Sequence, residues 1–152
     1  MKQVILSDIR SNYNVGAIFR TCDGVGVDKV YLSGLTPTPT DRFGREVLEI
    51  SKTALGAEKF IAWEKVDDVV SLINKLKDEG FTVVAVEQAS NSVGLYDFKV
   101  PEKVVYIFGS ETAGIPVEIL EQVDTILELP MLGQKESLNV SVTAGIVLFY
   151  RN

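Results

Sequence analysis

The chain has 152 residues, of which 46% are hydrophobic and 24% are charged, and its formal net charge is −6. This length is typical of one domain, and with 12 Gly and 5 Pro residues the composition excludes a disordered, collagen-like or low-complexity chain. The only cysteine is Cys22, and there is no histidine. These counts exclude a disulfide framework, imidazole or multi-cysteine metal sites, and serine–histidine or cysteine–histidine nucleophile pairs. We expect a single domain over residues 1–152 and no metal.

The charge is unevenly distributed along the chain. Residues 1–60 hold 8 Lys or Arg against 7 Asp or Glu, whereas residues 61–152 hold 7 against 14. A polyanion would therefore contact mainly the first sixty residues. The apolar run at residues 4–6 is too short for a signal-peptide core, and the uncharged stretch 137–150 is shorter than the roughly 20 residues of a membrane span. These features predict a soluble, cytoplasmic protein without a membrane partner.

Short apolar, β-branched segments alternate along the chain with segments of helical periodicity. The predicted strands are residues 4–6, 29–32, 60–63, 81–86, 104–108 and 125–129. The predicted helices are residues 15–23, 45–55, 67–79, 117–122 and 139–151, with Asp67 capping the third and Gly80 ending it. Most strands lack apolar–polar alternation, which is typical of a sheet covered on both faces. The pattern predicts an α/β sandwich with a mostly parallel sheet.

Polar residues cluster in three segments where predicted strands end and helices begin, the place where open α/β sheets bind ligands. The first segment begins with Asn12 and Asn14, either of which can cap a helix with an apolar stripe. Gly16 and Arg20 lie one turn apart on another face of this helix, so the glycine leaves room for a molecule to approach the arginine. The alternative is an ordinary amphipathic helix in which Arg20 pairs with Asp23.

The second segment, residues 109–116, follows the apolar strand 104–108. Gly109 and Gly114 allow the backbone to lie close to a ligand, and Pro116 marks a helix start; a simple turn is the alternative. This is not a dinucleotide fingerprint, and the chain contains neither G-x-G-x-x-G after a strand nor a P-loop. Pyridine dinucleotides and nucleoside triphosphates in their usual cradles are therefore disfavoured.

The third segment, residues 130–141, joins a predicted strand to the last helix, and both Ser137 and Asn139 can serve as its cap. Residues 140–150 are apolar on nearly every face, so this helix must be buried on all sides. A terminal helix of a small domain ordinarily leaves one side to solvent. We therefore expect a homodimer, in which a second subunit covers the last helix and the helix that carries Arg20.

Together, the three segments resemble the three motifs of the SpoU/TrmH family of RNA ribose 2'-O-methyltransferases, within the SPOUT superfamily. Residues 14–20 match the first motif, 108–114 the second, and 129–131 with 137–141 the third, in family order and spacing over the whole chain. The resemblance implies an α/β fold with a C-terminal trefoil knot, S-adenosylmethionine as the cofactor, tRNA or rRNA as the substrate, and a homodimer. Since the first predicted strand begins near residue 3, the chain resembles a minimal, catalytic-domain-only member.

The resemblance also assigns the site, and it implies Arg20 as the catalytic residue. A guanidinium stays protonated up to a pH of about 12, so we expect Arg20 to clamp a phosphate and stabilise the developing alkoxide rather than remove a proton. The other catalytic candidates are the polar residues of the motifs, Asn14, Glu111, Ser137 and Asn139. The cofactor-binding candidates are Ala85, Glu87, Gly109, Glu111, Gly114, Leu129, Met131, Ser137, Leu138 and Asn139.

Four arginines form the candidate RNA-binding set, Arg10, Arg20, Arg42 and Arg45. The alternative for these residues is a scatter of solvated side chains. An acidic chain with few basic contacts should bind RNA weakly and by shape, which favours a structured RNA such as tRNA.

Two other functions remain open. A non-catalytic RNA-binding module would keep the fold without the polar motif residues, yet Arg20, Glu111 and Asn139 are all present. Another α/β nucleotide-binding enzyme, such as an oxidoreductase, would need a phosphate-binding loop that the sequence does not contain.

Overall fold

Strands and helices alternate along the chain in this computed structural model, which describes residues 1–151. The strands are β1 (Lys2–Ser7), β2 (Lys29–Ser33), β3 (Ala62–Val66), β4 (Thr82–Val86), β5 (Val93–Gly94), β6 (Val104–Phe108) and β7 (Thr125–Glu128). The α-helices are α1 (Asn12–Val25), α2 (Leu48–Ala54), α3 (Val69–Asp78), α4 (Val117–Leu120) and α5 (Val140–Phe149). Two 3-10 turns, Ala57–Lys59 and Leu95–Asp97, complete the elements of the described chain.

The strands form one sheet in the order β3-β2-β1-β6-β4-β7-β5, and every neighbouring pair is parallel. Leu6 pairs with both Leu32 and Phe108, and Val86 pairs with both Phe108 and Leu127. The five central strands therefore end together, at what we call the carboxyl edge. The chain runs outward from β1 through β2 and β3 and then continues on the other side of β1. Such a change of direction opens a crevice at the carboxyl edge.

Helices cover both faces of the sheet, which confirms the predicted mostly parallel α/β architecture. Val4, Leu6 and Tyr106 point to one face, where they pack with α1, α2 and α5. Ile5 and Ile107 point to the other face and pack with α3 and α4. All five side chains are fully buried. Because consecutive residues are buried on opposite faces, these strands are apolar throughout instead of alternating.

Most predicted boundaries shift by one to three residues, and two of these shifts have a clear structural cause. The third strand is Ala62–Val66 rather than 60–63, since Phe60 ends a 3-10 turn and is 82% exposed. The second helix is Leu48–Ala54 rather than 45–55, because a backbone bridge between Thr40 and Glu46 holds the preceding residues in a hairpin. The helical periodicity of this segment therefore extends further than the helix itself.

Helix ends follow the capping rules with one displacement. Asp68, rather than the predicted Asp67, caps α3 by accepting a hydrogen bond of 3.0 Å from the amide of Ser71. Gly80 follows α3 with a φ of 87°, as predicted. The two-residue strand Val93–Gly94 was not predicted, because an element this short has no detectable periodicity.

The last helix, α5, is buried on one side only within the single chain. Val140, Ala144, Val147 and Leu148 are buried. Three apolar side chains on the remaining surface are open to solvent, Val142 at 49%, Ile146 at 40% and Phe149 at 56%. The prediction of burial on all sides is therefore not met by one chain alone. No helix within residues 1–151 combines the length and the hydropathy needed to cross a membrane.

Candidate functional site

A cleft of about 490 Å³ opens at the carboxyl edge, beyond the ends of β4, β6 and β7. Its lining contains three carboxylates, Glu87, Glu111 and Glu128, and no Lys or Arg. We call it the acidic cleft. Its apolar lining includes Phe108, Ile115, Leu127 and Leu129. Such a cleft repels polyphosphates, whereas it attracts a ligand that carries positive charge beside an apolar ring system.

The loop after β6 forms one wall of the acidic cleft and is closed by two glycines. The amide of Gly114 donates to the carbonyl of Ser110 at 2.9 Å. A Cβ on Gly109 would lie 2.6 Å from the Ile115 side chain, and Gly114 has a φ of 69°. Glu87 accepts from the amide of Ile115 at 3.2 Å and so fixes the loop to the end of β4. Both glycines are required by the turn, which is the simpler of the two interpretations of this segment. The turn also exposes its backbone to the cleft.

The segment between β7 and α5 forms the opposite wall. The side-chain amide of Gln88 donates to the main-chain carbonyl of Glu136, so the end of β4 also holds this segment. Four predicted cofactor-binding residues of this segment line the cleft, Leu129, Met131, Ser137 and Leu138.

Asn14 connects all three segments. Its side-chain amide donates to the Glu111 carboxylate, and its side-chain oxygen accepts from the side-chain amide of Asn139 at 3.2 Å. Asn139 also caps α5, since its side-chain oxygen accepts from the amide of Ser141 at 2.9 Å and from its hydroxyl at 2.5 Å. The cap of α1 is Ser11, which accepts from the amide of Asn14 at 3.2 Å. The prediction that Asn12 or Asn14 caps α1 is therefore wrong, and the Asn14 side chain is available to form this bridge.

The predicted cofactor-binding residues divide into those that line the cleft and those that do not. Glu87, Gly109, Glu111 and Gly114 line it. Ala85 does not, because it is fully buried on the α3 face of the sheet, and the next residue, Val86, lines the cleft instead. Neither Asn139 nor Asn14 lines the cleft; Asn139 is connected to it through Asn14, which donates to the Glu111 carboxylate of the lining.

Several lining residues were not predicted from the sequence. Many lie inside a motif, as Ser110 and Thr112 do, or directly beside one, as Glu128 precedes Leu129, and this position was the only available signal. Thr143 lies one turn after Val140 on α5, so helical periodicity from the third motif could have identified it. The unpredicted polar residues of the lining are Ser110, Thr112, Glu128 and Thr143.

Arg20 lies at a second cleft, away from the first. Six residues separate it from Asn14 on α1, which corresponds to about 9 Å along the helix and about 240° around it. The second cleft, of about 630 Å³, lies among α1, α2 and α5. It contains two cations, Arg20 and Lys52, and no carboxylate, so we call it the basic cleft. Its lining is Ala17, Arg20, Thr21, Gly24, Lys52, Thr53, Ser141, Val142 and Phe149.

Gly16 brings α2 against α1 and thereby forms the basic cleft. A Cβ on Gly16 would lie 2.0 Å from Oγ1 of Thr53 and 2.3 Å from the carbonyl oxygen of Ile50. Thr53 also donates from Oγ1 to the carbonyl of Tyr13 at 2.9 Å. The space beside Gly16 is therefore filled by α2, and the prediction that it admits a substrate is wrong. Lys52 and Thr53, which the sequence reasoning missed, enter the cleft through this contact.

The arginines are exposed and mostly unpaired. Within residues 1–151, neither Arg10, Arg20 nor Arg42 forms an ion pair, so the alternative pairing of Arg20 with Asp23 is absent. Arg45 pairs with Asp41 at 2.8 Å. Arg10 follows β1, and Arg42 and Arg45 follow β2, so these three lie in loops that leave the carboxyl edge without lining either cleft.

The single cysteine has no part in the site. Cys22 is fully buried in the core under α1, and this burial raises the pKa of its thiol to about 12. The thiol therefore stays protonated and unreactive near neutral pH. In the part of the chain that the structure describes, no three His, Cys, Asp or Glu side chains are grouped in a way that could hold a metal ion.

Comparison with known proteins identifies relatives of this chain. A tRNA (guanosine(18)-2'-O)-methyltransferase of Aquifex aeolicus is 32% identical over 96% of this chain and 66% of its own length. The 23S rRNA (guanosine-2'-O-)-methyltransferase RlmB of Neisseria meningitidis is 31% identical over 95% of this chain and 55% of its own length. This chain thus spans between about half and two thirds of these relatives.

Solved structures show the same fold. An AdoMet-bound rRNA methyltransferase from Sinorhizobium meliloti superimposes with a TM-score of 0.86 and 29% identity, over 97% of this chain and 54% of that one. The A. aeolicus TrmH/SpoU tRNA-modifying enzyme superimposes with a TM-score of 0.84 and 31% identity, over 97% and 72%. Residues 1–149, which include both clefts, match the SpoU rRNA methylase family. The chain therefore belongs to the SpoU rRNA methylase family.

Proposed function

We propose that the protein is an S-adenosylmethionine-dependent RNA methyltransferase that methylates a ribose 2'-hydroxyl of tRNA or rRNA. The observation that carries this proposal is the pair of clefts with opposite charge, connected through Asn14, Asn139 and Ser141. The acidic cleft suits a cationic cofactor, and the basic cleft suits the phosphates of RNA. The activities in the names of the Aquifex and Neisseria relatives agree with this division.

The acidic cleft fits the chemistry of S-adenosylmethionine. Its carboxylates, among them Glu87 and Glu128, favour the positive sulfonium and ammonium groups, and its apolar walls suit an adenine ring. The exposed backbone between Gly109 and Gly114, with Leu129, Met131 and Leu138 opposite, would hold the cofactor. When bound, the cofactor supplies an electrophilic methyl group whose leaving group departs as a neutral thioether.

The residues of the chain itself then have separate roles. Arg20 binds the phosphate next to the target ribose and stabilises the negative charge that develops on the attacking 2'-oxygen. Asn14 and Asn139 fix the two walls of the site relative to α1, and Glu111 anchors Asn14 by accepting its amide. Ser137 lines the acidic cleft, where its hydroxyl would contact the bound cofactor.

Within one chain Arg20 lies away from the acidic cleft, and formation of a homodimer would bring the two together. The start of α5 borders both clefts, since Val140 and Thr143 line the acidic cleft while Ser141 and Val142 line the basic cleft. A twofold interface through the exposed apolar side of α5 and through α1 buries this side. It also brings the Arg20 of one subunit toward the acidic cleft of the other.

The course of the last helix supports the trefoil knot that the family resemblance implies. The chain leaves β7, passes along the acidic cleft, and returns on the α1 face of the sheet, where Lys2 Nζ donates to the carbonyl of Leu148 at 2.6 Å. This return crosses β4 and β6 beside the loop 109–116.

We place this single methyltransferase domain, over residues 1–152, in the cytoplasm.

Calorimetry against S-adenosylmethionine, S-adenosylhomocysteine and NAD tests the proposed cofactor. We expect saturable binding of the first two and none of NAD, because the acidic cleft repels the pyrophosphate. Binding of NAD alone would assign the cleft to another class of enzyme. The activity itself is tested by incubating total tRNA and rRNA with radiolabelled methyl donor and digesting to nucleosides. The label should appear only in 2'-O-methylnucleosides; cofactor binding without incorporation would favour a non-catalytic RNA-binding module.

A further inference from the structure

The loop between β2 and α2 presents an exposed aromatic ring beside two guanidinium groups. Phe43 is 65% exposed, and the guanidinium carbons of Arg42 and Arg45 lie 4.7 and 5.0 Å from the centre of its ring. In water, an exposed phenylalanine on an ordered loop gives no hydrophobic stabilisation to the fold. Neither cleft includes this group.

The geometry of this group is fixed by Asp41. Its carboxylate accepts from the amides of Phe43 at 2.8 Å and Arg45 at 2.9 Å, and from Nε of Arg45 at 2.8 Å. The backbone of the loop closes through the amide of Asp41, which donates to the carbonyl of Arg45 at 2.8 Å, and through the Thr40–Glu46 bridge. The loop backbone and the Arg45 guanidinium are therefore held in place before any ligand binds, which lowers the entropy cost of binding. Arg42 lies over the ring, and within residues 1–151 no ion pair holds its guanidinium.

The charge of the loop favours a polyanion. Asp41 is the nearest carboxylate and is already paired with Arg45, and Glu46 lies 3.5 Å from Lys59. The charge of Arg42 has no ion-pair partner within residues 1–151. In a protein of net charge −6, Arg42 is thus an uncompensated cation over a ring that is 65% exposed. An aromatic face stacks on a nucleobase, and planar guanidinium groups bind the adjacent phosphates.

The position of the loop connects it to the site. It leaves the carboxyl edge after β2, and it leads directly into α2, which carries the Lys52 and Thr53 of the basic cleft. A strand of RNA that reaches the basic cleft can therefore continue along the same side of the molecule to Phe43.

We propose that the loop of residues 40–46 binds an unpaired nucleotide of the RNA substrate, whose base stacks on Phe43 in place of the Arg42 guanidinium and whose phosphates are held by Arg42 and Arg45. This inference rests on the proposed function in taking RNA as the ligand. It adds that the substrate presents a single-stranded nucleotide near the methylated one, since a base inside a duplex cannot stack on a side chain.

The test compares Phe43→Ala with Phe60→Ala. Phe60 is 82% exposed and precedes the amino end of β3, and no cation lies over its ring within residues 1–151, so it is a matched control. The probe is a fluorescein-labelled single-stranded oligoadenylate of about 12 nucleotides, followed by anisotropy at low salt. We expect Phe43→Ala to weaken binding about 10-fold, Phe60→Ala to change it less than about twofold, and Phe43→Trp to retain it.

Two further measurements, the salt dependence of binding and the kinetics of methylation, test the role of the loop in RNA binding. Arg42→Gln should reduce the slope of log K against log salt by about 0.7, the value for one lost phosphate contact on a single strand. In methylation assays, Phe43→Ala should raise KM and leave kcat unchanged. Equal affinities of wild type and Phe43→Ala, or equal losses at Phe43 and Phe60, would overturn the proposal, as would an unchanged KM. Binding of S-adenosylmethionine, measured by calorimetry, does not depend on this loop. If the cofactor does not bind, the proposed function is rejected, whatever the result at Phe43.

Discussion

The two clefts of this protein both border the start of α5 and differ in their charge and in the elements that build them. The acidic cleft is built from loops at the carboxyl edge of the sheet, contains three carboxylates, and has its walls tied together by hydrogen bonds from Glu87, Gln88 and Asn14. The basic cleft is built from the surfaces of three helices, contains Arg20 and Lys52, and is bordered by the exposed apolar side of α5. The walls of the acidic cleft are connected within a single chain, whereas the basic cleft is open on the side of α5.

If RNA is the substrate, as we propose, this difference explains how an acidic protein can bind it. The charges that favour a cationic cofactor and those that favour phosphate line separate clefts, and within residues 1–151 no ion pair joins the two sets. The bridge from Glu111 through Asn14 to Asn139 connects the two environments without placing a charge between them.

Removing the charge of Arg20 is expected to have the largest effect on this comparison. Arg20→Ala should lower methylation by on the order of 10²-fold or more, because a preorganised charge near the developing alkoxide is lost. Cofactor affinity in calorimetry should stay nearly unchanged, since Arg20 does not line the acidic cleft. Arg20→Lys should restore activity only in part, because an ammonium lacks the planar fork of a guanidinium. Full activity of Arg20→Ala would remove Arg20 from the mechanism.

Mixed dimers show whether the two clefts act across subunits. Asn139→Ala should weaken both cofactor binding and turnover, because it breaks the bridge to Asn14 and the cap of α5. If Arg20 serves the partner's acidic cleft, mixing Arg20→Ala with Asn139→Ala should restore activity, since each hybrid contains one site with both residues. No recovery after demonstrated subunit exchange would place both residues in the site of one chain.

A charge on the exposed side of α5 should open the proposed interface. Ile146→Asp places a carboxylate twice in a twofold apolar interface, and we expect the dimer dissociation constant to rise by on the order of 10²-fold. Val117→Asp is the matched control, because Val117 is an exposed apolar residue on α4, which packs on the other face of the sheet. Sedimentation at micromolar concentration measures both. A wild-type protein that sediments as a folded monomer would contradict the proposal.

The smallest expected effect comes from replacing a glycine in the walls of the acidic cleft with alanine. Gly114 should not tolerate this change, whereas Gly133 should. An alanine Cβ at Gly114 would lie 2.6 Å from Oε2 of Glu87, at a φ of 69°. The strain of about 1–2 kcal/mol should weaken cofactor binding about 10-fold in calorimetry. Gly133→Ala is the control, because a Cβ there meets nothing within 4 Å and the backbone is not left-handed. Equal affinities for the two variants would show that the turn does not shape the cleft.

The motif residues could be predicted from sequence because their chemistry is local. Gly109 and Gly114 are needed by the turn itself, and Asn139 caps the helix that follows it. Positions that depend on register were less predictable: Ala85 and Val86 are equally apolar, and only the pairing of β4 shows which one faces the cleft. Gly16 was misread for a similar reason, since nothing near it in sequence shows that α2 fills the space beside it.

The alternating α/β pattern, the parallel sheet and the three polar segments could be predicted from the sequence, because these depend on residue periodicity and on backbone chemistry within a few positions. The packing of the folded chain was needed to show that Arg20 lines the basic cleft while Asn14 contacts Glu111 of the acidic cleft, and that an exposed Phe43 lies under two guanidinium groups. Arg45, Glu46 and Val47 continue a helical periodicity, yet the Asp41 carboxylate binds the amides of Phe43 and Arg45 and holds a hairpin there. Such competition between a local propensity and a specific hydrogen bond is decided by geometry, which residue types alone do not contain.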